Sequence, residues 1–199
     1  MKKLFSIISI VILTVSTVFS QSIEYRIREI ARNAYPNDSE MQDYIYNQQM
    51  SAYRFMSIVT DSEVEKIAQR EYPNDYSMQK YIYNNQLSAK TYMKTVGDNE
   101  VLQIAIREYP YDYSMQKYIY NNQLSAKYYM KTISDFEVKG IAYQEYPNDY
   151  TMQKYTYDKQ ISAKKYMNSV TNVTAKAKAE REYPNDYTMQ KYTYDKLVY

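Results

Sequence analysis

Apolar positions along this chain recur at helical rather than strand spacing. Val64, Ile67 and Ala68 return as Val101, Ile104 and Ala105, and again as Val138, Ile141 and Ala142. Three-and-four spacing lines one face of a short helix of about three turns. Each set is followed by Tyr-Pro. Proline cannot continue an upstream helix and disfavours α geometry in the residue before it, so the first helix is predicted to end near Glu71. Beyond it Asp75 stands where an N-cap is needed, with Pro73 as an alternative first helical residue. A second helix is predicted from there to about Val96, where Gly97 and Asp98 break the pattern. Each unit is therefore a helical hairpin.

On the second helix, Met78, Ile82, Ala89, Tyr92, Met93 and Val96 fall in one sector at about 100° per residue and form the predicted core face. Leu87 lies nearly opposite, and its counterparts Met50, Leu124 and Ile161 are also apolar. A helix that is apolar on two sides suits a hairpin that packs against its neighbours as well as against itself.

The hairpin repeats. Tyr-Pro occurs at Tyr35, Tyr72, Tyr109, Tyr146 and Tyr183, thirty-seven residues apart, and these steps contain all five prolines. A period in that range predicts an all-α array of tandem helical hairpins, solenoid-like, with the copies serving as each other's core. About four and a half hairpins fit into residues 21–199, read as a single domain. The segment YSMQKYIYNNQLSAK is unchanged at 76–90 and 113–127, and EYPNDYTMQKYTYDK stands at both 145–159 and 182–196. Identity reaching presumed surface lysines points to recent duplication, so invariance among copies says little about function. The first copy differs, with Tyr53 and Phe55 in place of Lys90 and Tyr92, and the last stops at Tyr199. Terminal repeats commonly diverge because one side faces water. The pattern lacks the Trp and Leu-Gly signature of tetratricopeptide repeats and the turn sequence of ankyrin repeats.

Residues 1–20 are read apart from the fold. Lys2 and Lys3 precede the apolar LFSIISIVILTVSTVF, and small Val18 and Ser20 lead to Gln21, the arrangement of a secretory signal peptide cleaved before Gln21. An uncleaved membrane helix is the other reading, for which the apolar stretch is marginal in length. The style of the leader resembles export signals of Gram-negative bacteria. The expected location is the periplasm, the cell surface or the medium.

Composition narrows the function. Without Lys2 and Lys3 the 25 Lys and Arg become 23, equal to the 23 Asp and Glu, so no basic excess is left for nucleic acid. Histidine and cysteine are absent, which removes the commonest general base, the usual zinc ligands, a thiol nucleophile and any disulfide. Two glycines in 199 residues argue against a turn-rich β fold. The Pro-Asn-Asp loop lacks the alternating oxygen ligands and glycine of a calcium loop. Glu71 and Asp75 pair two carboxylates in each unit, but one closes a helix and the other caps one, so a carboxylate-dependent hydrolase is a remote reading. No cofactor, metal or enzymatic activity is expected.

Tyrosine is in excess, with 28 residues beside four phenylalanines and no tryptophan. A tyrosine ring can fill a core while its hydroxyl reaches water, or can line a binding surface. The candidate stripe is Gln79, Tyr83 and Gln86, which returns as Gln116, Tyr120 and Gln123 and as Gln153, Tyr157 and Gln160. Exposed, it would form a ladder for an extended peptide or glycan; buried, its amides would tie neighbouring hairpins together. Amide chemistry favours the second. The expected function is an exported repeat scaffold that binds a protein, peptide or glycan. The alternative is a structural or adhesive protein whose tyrosine-rich faces self-associate.

Overall fold

A computed structural model describes residues 22–198; the signal peptide read at 1–20 lies outside the described residues. Among the described residues the chain is all helical, without strands. The elements are α1 (22–34), α2 (Ser39–Met56), α3 (Ser62–Glu71), α4 (Tyr76–Met93), α5 (Asn99–Glu108), α6 (Tyr113–Thr132), α7 (Phe136–Glu145), α8 (Tyr150–Ser169), α9 (Val173–Glu182) and α10 (Tyr187–Val198). Short odd-numbered helices alternate with longer even-numbered ones. None of the described helices is long and apolar enough to cross a membrane.

Local chemistry sets the boundaries. Asp61, Asp98, Asp135 and Asn172 cap the short helices, each side chain accepting from the amide three residues on at 3.0–3.2 Å. The short helices α3, α5, α7 and α9 end at the glutamate before Tyr-Pro, as the sequence predicts, with the tyrosine as C-cap in a non-helical conformation. Asp75 does cap the following helix, its Oδ1 accepting from Met78 N at 3.0 Å. Asp112, Asp149 and Asp186 repeat that bond.

The chain divides into two compact units, with the boundary between Ser88 and Ala89 inside α4. In the first unit, Ile23, Ile27 and Ala31 of α1, Ala52 and Met56 of α2, and Val64, Ile67 and Ala68 of α3 are buried, together with Tyr83 of α4. In the second unit each short helix packs on the long helix after it, and α8 packs on both α6 and α10. Three clusters recur along it: Met93, Val101, Ala105 and Tyr120; then Met130, Val138, Ala142 and Tyr157; then Met167, Ala175, Ala179 and Tyr194. Each takes a methionine from the end of one long helix, small apolar residues from a short helix and a tyrosine from the next long helix. The hairpins are thus stitched through their short helices.

The buried side of the long helices differs from the predicted sector. Ala89 and Met93 are buried, but Met78, Ile82, Tyr92 and Val96 are only half-buried, and Gln79, Tyr83 and Gln86 complete the buried side. The inward face is rotated by roughly 60° from the most apolar one. Hydrogen bonding to the loops, described next, makes the difference.

Candidate functional site

All nine residues of the sequence-predicted stripe are buried. Gln79, Gln86, Gln116, Gln123, Gln153 and Gln160 are 1–5 % exposed, and Tyr83, Tyr120 and Tyr157 are 3–6 % exposed. The two glutamines of each copy have separate tasks. The first reaches back seven residues: Nε2 of Gln79, Gln116 and Gln153 donates to the carbonyl of Tyr72, Tyr109 and Tyr146 at 2.6–2.7 Å. That carbonyl follows a helix end at a Tyr-Pro step and is reached by the backbone only through a long contact from the cap aspartate amide at 3.4 Å, so the side chain supplies its closer partner. The second reaches the next hairpin. Gln123 Nε2 donates to Asp149 Oδ1 at 2.8 Å, while its Oε1 accepts from Tyr150 N at 2.7 Å and Thr151 N at 3.3 Å. Gln160 repeats this on Asp186, Tyr187 and Thr188, and Gln49 does so on Asp75, Tyr76 and Ser77 in the first unit. Each such glutamine clasps an N-cap aspartate and two of the free amides of a helix start.

The tyrosines of the stripe also face inward. Tyr83 Oη accepts from Asp61 N at 3.3 Å and Tyr120 Oη from Asp98 N at 3.2 Å, so each ring fills the core and its hydroxyl serves the start of a short helix. The stripe thus lies inside the fold rather than on its surface, with most of its amides and hydroxyls bonded there and Gln153 Oε1 buried without a partner.

Exposed tyrosines stand two residues earlier, on the opposite side of the same helices. Tyr44, Tyr81, Tyr118, Tyr155 and Tyr192 are 52–59 % exposed. Beside this position a groove recurs between long helices. In the first unit it holds about 490 Å³ between α2 and α4, lined by Tyr44, Gln48, Ser51, Ser77 and Lys80. In the second unit it holds about 400 Å³ between α6 and α8, lined by Asn122, Ser125, Thr151, Lys154 and Glu108, and about 340 Å³ between α8 and α10, lined by Tyr155, Lys159, Thr188 and Glu145. Sequence reasoning passed over this row because Tyr81 and Tyr83 are chemically identical and both repeat. The available signal was the company each keeps. Tyr81 shares its helical face with Asn84, Asn85 and Ser88, and Tyr118 with Asn121, Asn122 and Ser125.

Charged groups cluster at the starts of the short helices. Lys127 Nζ donates to Asp98 Oδ2 at 2.8 Å and Glu100 Oε2 at 2.7 Å, lies 5.2 Å from the ring centre of Tyr150, and Tyr150 Oη donates to Glu100 Oε1 at 2.6 Å. Lys164, Asp135, Glu137 and Tyr187 repeat the set. The lysine contacts hold Asp98, Glu100, Asp135 and Glu137 below the usual carboxylate range, and Asp135 and Glu137 raise Lys164. Burial works against ionisation of the cap Asp149, but hydrogen bonds from Thr151, Met152 N and Gln123 outweigh it and lower its pKa. A carboxylate held ionised by its donors is suited to capping rather than to proton donation. Among the described residues no group of three or more acidic side chains is placed to hold a metal ion.

Comparison of the chain with protein-family models, with curated proteins and with solved structures finds no match.

Proposed function

We propose that this chain is an exported helical-repeat scaffold that binds an extended partner along the outer faces of its long helices, outside the cytoplasm and without catalysis. The observation that carries the reading is the half-exposed tyrosine at one recurring position of the long helices, which in two of them, at Tyr44 and Tyr155, lines a groove of polar and charged side chains. The internal amides, buried tyrosines and paired carboxylates all have structural work. The outer tyrosines have none that packing requires, and repeated aromatic rings beside polar groups are the composition of a recognition surface. The leader at residues 1–20 is the basis for export.

Self-association through the same row is the competing use. Light scattering on the purified chain tests it: a single-chain mass independent of concentration is expected. Growth of the mass with concentration, abolished by Tyr118→Ala with Tyr155→Ala, would assign the row to contacts between copies and overturn the scaffold reading.

A further inference from the structure

Resting on that reading of the outer row as a binding surface, we infer that the partner is a neutral polysaccharide, held by stacking of sugar rings on the exposed tyrosines and by hydrogen bonds from the flanking amides and hydroxyls. The stripe on each of three long helices is uncharged. It reads Tyr44, Asn47, Gln48 and Ser51 on α2; Tyr81, Asn84, Asn85 and Ser88 on α4; and Tyr118, Asn121, Asn122 and Ser125 on α6, at three-and-four spacing along one face. Amides and hydroxyls both donate and accept, as the hydroxyls of a sugar do, so each can satisfy a partner group of either sense.

The rings are available for stacking. Tyr81 and Tyr118 carry no hydrogen bond or cation contact among the described residues and are 58 % and 59 % exposed. Gln48 Nε2 donates to Tyr44 Oη at 2.6 Å, which holds that ring by its edge while the residue stays 55 % exposed. Tyr92 Oη donates to Asn121 Oδ1 at 2.7 Å and so orients the Asn121 amide, with its NH2 group left for a ligand. Preset side chains of this kind lower the ordering cost of binding.

The charges argue against an ionic partner. In the α6–α8 groove Lys154 is paired with Asp158 at 2.6 Å, so an acidic ligand would find that counter-ion already taken, whereas Lys80 and Lys159 line the other two grooves. Glu108 in the α6–α8 groove would repel an acidic polymer and can accept from a hydroxyl. Peptide modes fit less well. Strand addition needs a sheet edge, which the described residues lack, and helix-in-groove docking needs an apolar groove, whereas the α6–α8 groove sets only Ile119 and Ala126 among amides, hydroxyls and charges.

The test is affinity electrophoresis of the full chain through native gels containing mixed-linkage β-glucan, glucomannan, xylan or dextran, with polygalacturonate as the acidic probe. Retardation by at least one neutral polymer and not by polygalacturonate is expected. Tyr118→Ala should weaken it about tenfold, Tyr118→Phe, which keeps the ring, should weaken it less, and Tyr25→Ala, at an exposed tyrosine off the stripe, should leave it unchanged. Circular dichroism checks that each variant is folded. A second arm places benzoylphenylalanine at position 118 for photo-crosslinking in the producing cells. A crosslink to a foreign protein with no retardation by any neutral polymer overturns the glycan assignment and leaves the scaffold reading in place. Crosslinks only between copies of the chain overturn both. Retardation undiminished by Tyr118→Ala, or strongest with polygalacturonate, overturns the glycan assignment at this stripe.

Discussion

Replacing Gln123 with alanine tests how the hairpins are joined. The side chain is 2 % exposed and spans from α6 to the start of α8. Truncation removes the Nε2 bond to Asp149 and the Oε1 acceptor of Tyr150 N and Thr151 N. Asp149 still accepts from Thr151 Oγ1 at 2.6 Å and Met152 N at 3.0 Å, so its loss is one bond of three, worth about 1 kcal/mol. The Tyr150 amide, at a helix start with no carbonyl to bond, is left without its 2.7 Å partner, which costs about 1–3 kcal/mol. The Thr151 contact, at 3.3 Å, is weaker and adds little. A total of about 3 kcal/mol follows. At an m-value of about 1–3 kcal/mol/M this lowers the urea midpoint by about 1–3 M, read by circular dichroism at 222 nm. Asn122→Ala, one residue away on the outer face, is the control and should stay within about 0.5 kcal/mol. A Gln123→Ala midpoint indistinguishable from that of Asn122→Ala would refute the clasp and return the glutamine stripe to candidate surface.

Three further outcomes are expected. Tyr118→Ala should change stability by no more than about 0.5 kcal/mol, whereas Tyr120→Ala, which empties a core cluster and frees the Asp98 amide, should cost about 3–5 kcal/mol in the same denaturation. Asp135 and Glu137 have folded pKa values below their ordinary 3.8 and 4.5, so their contribution is present above those values and is lost as pH falls through the lowered ones. Acid titration of stability should therefore steepen below about pH 4.5, and Lys164→Met should flatten that limb; an unchanged acid limb would show the ion cluster to be energetically idle. Gln153 Oε1 is buried without a partner, so Gln153→Leu loses the Tyr146 carbonyl bond but also removes an unsatisfied acceptor. Its urea midpoint should fall by less than half the shift seen for Gln123→Ala.

The fold was largely legible because each level of the sequence agreed. The Val, Ile and Ala faces of the short helices, the Tyr-Pro stops and the aspartate caps are local signals, and the structure uses them where they stand. The rotation of the long helices was not legible from apolarity. Hydrophobic patterning assigns Gln79 and Gln86 to the flank, but what brings them inward is the set of backbone groups that Tyr-Pro and the helix starts leave unpaired. Those groups lie in loops seven residues upstream or in a neighbouring hairpin, so their demand for amides does not show in a helical-wheel reading. The same cause misplaced the candidate surface: with the inward side turned toward the glutamines, the side opposite becomes Tyr81, Asn84, Asn85 and Ser88.

This division of labour follows from how the hairpins are joined. Prolines at the inter-helix turns keep those turns short but remove amides that would otherwise finish the helices. A repeat that ends helices so often must supply many side-chain partners, and glutamine is long enough to reach a carbonyl while turning its second polar atom elsewhere. Once amides and tyrosine hydroxyls hold the interior, the outer face carries less of the stability, though Asn121, Asp158 and Asp195 each accept there from a tyrosine of the preceding long helix. Residues without such a bond can change, as Asn122 becomes Lys159 in the next copy. Tyrosine nevertheless stands at all five outer positions, 44, 81, 118, 155 and 192, while its neighbours vary. The outer serine at 51, 88, 125 and 162 recurs as well, so recurrence among duplicated copies does not by itself mark a site. What sets the tyrosine apart is a large ring left more than half exposed, and the loss of binding without loss of stability in Tyr118→Ala is the outcome that distinguishes a recognition role from a relic of duplication.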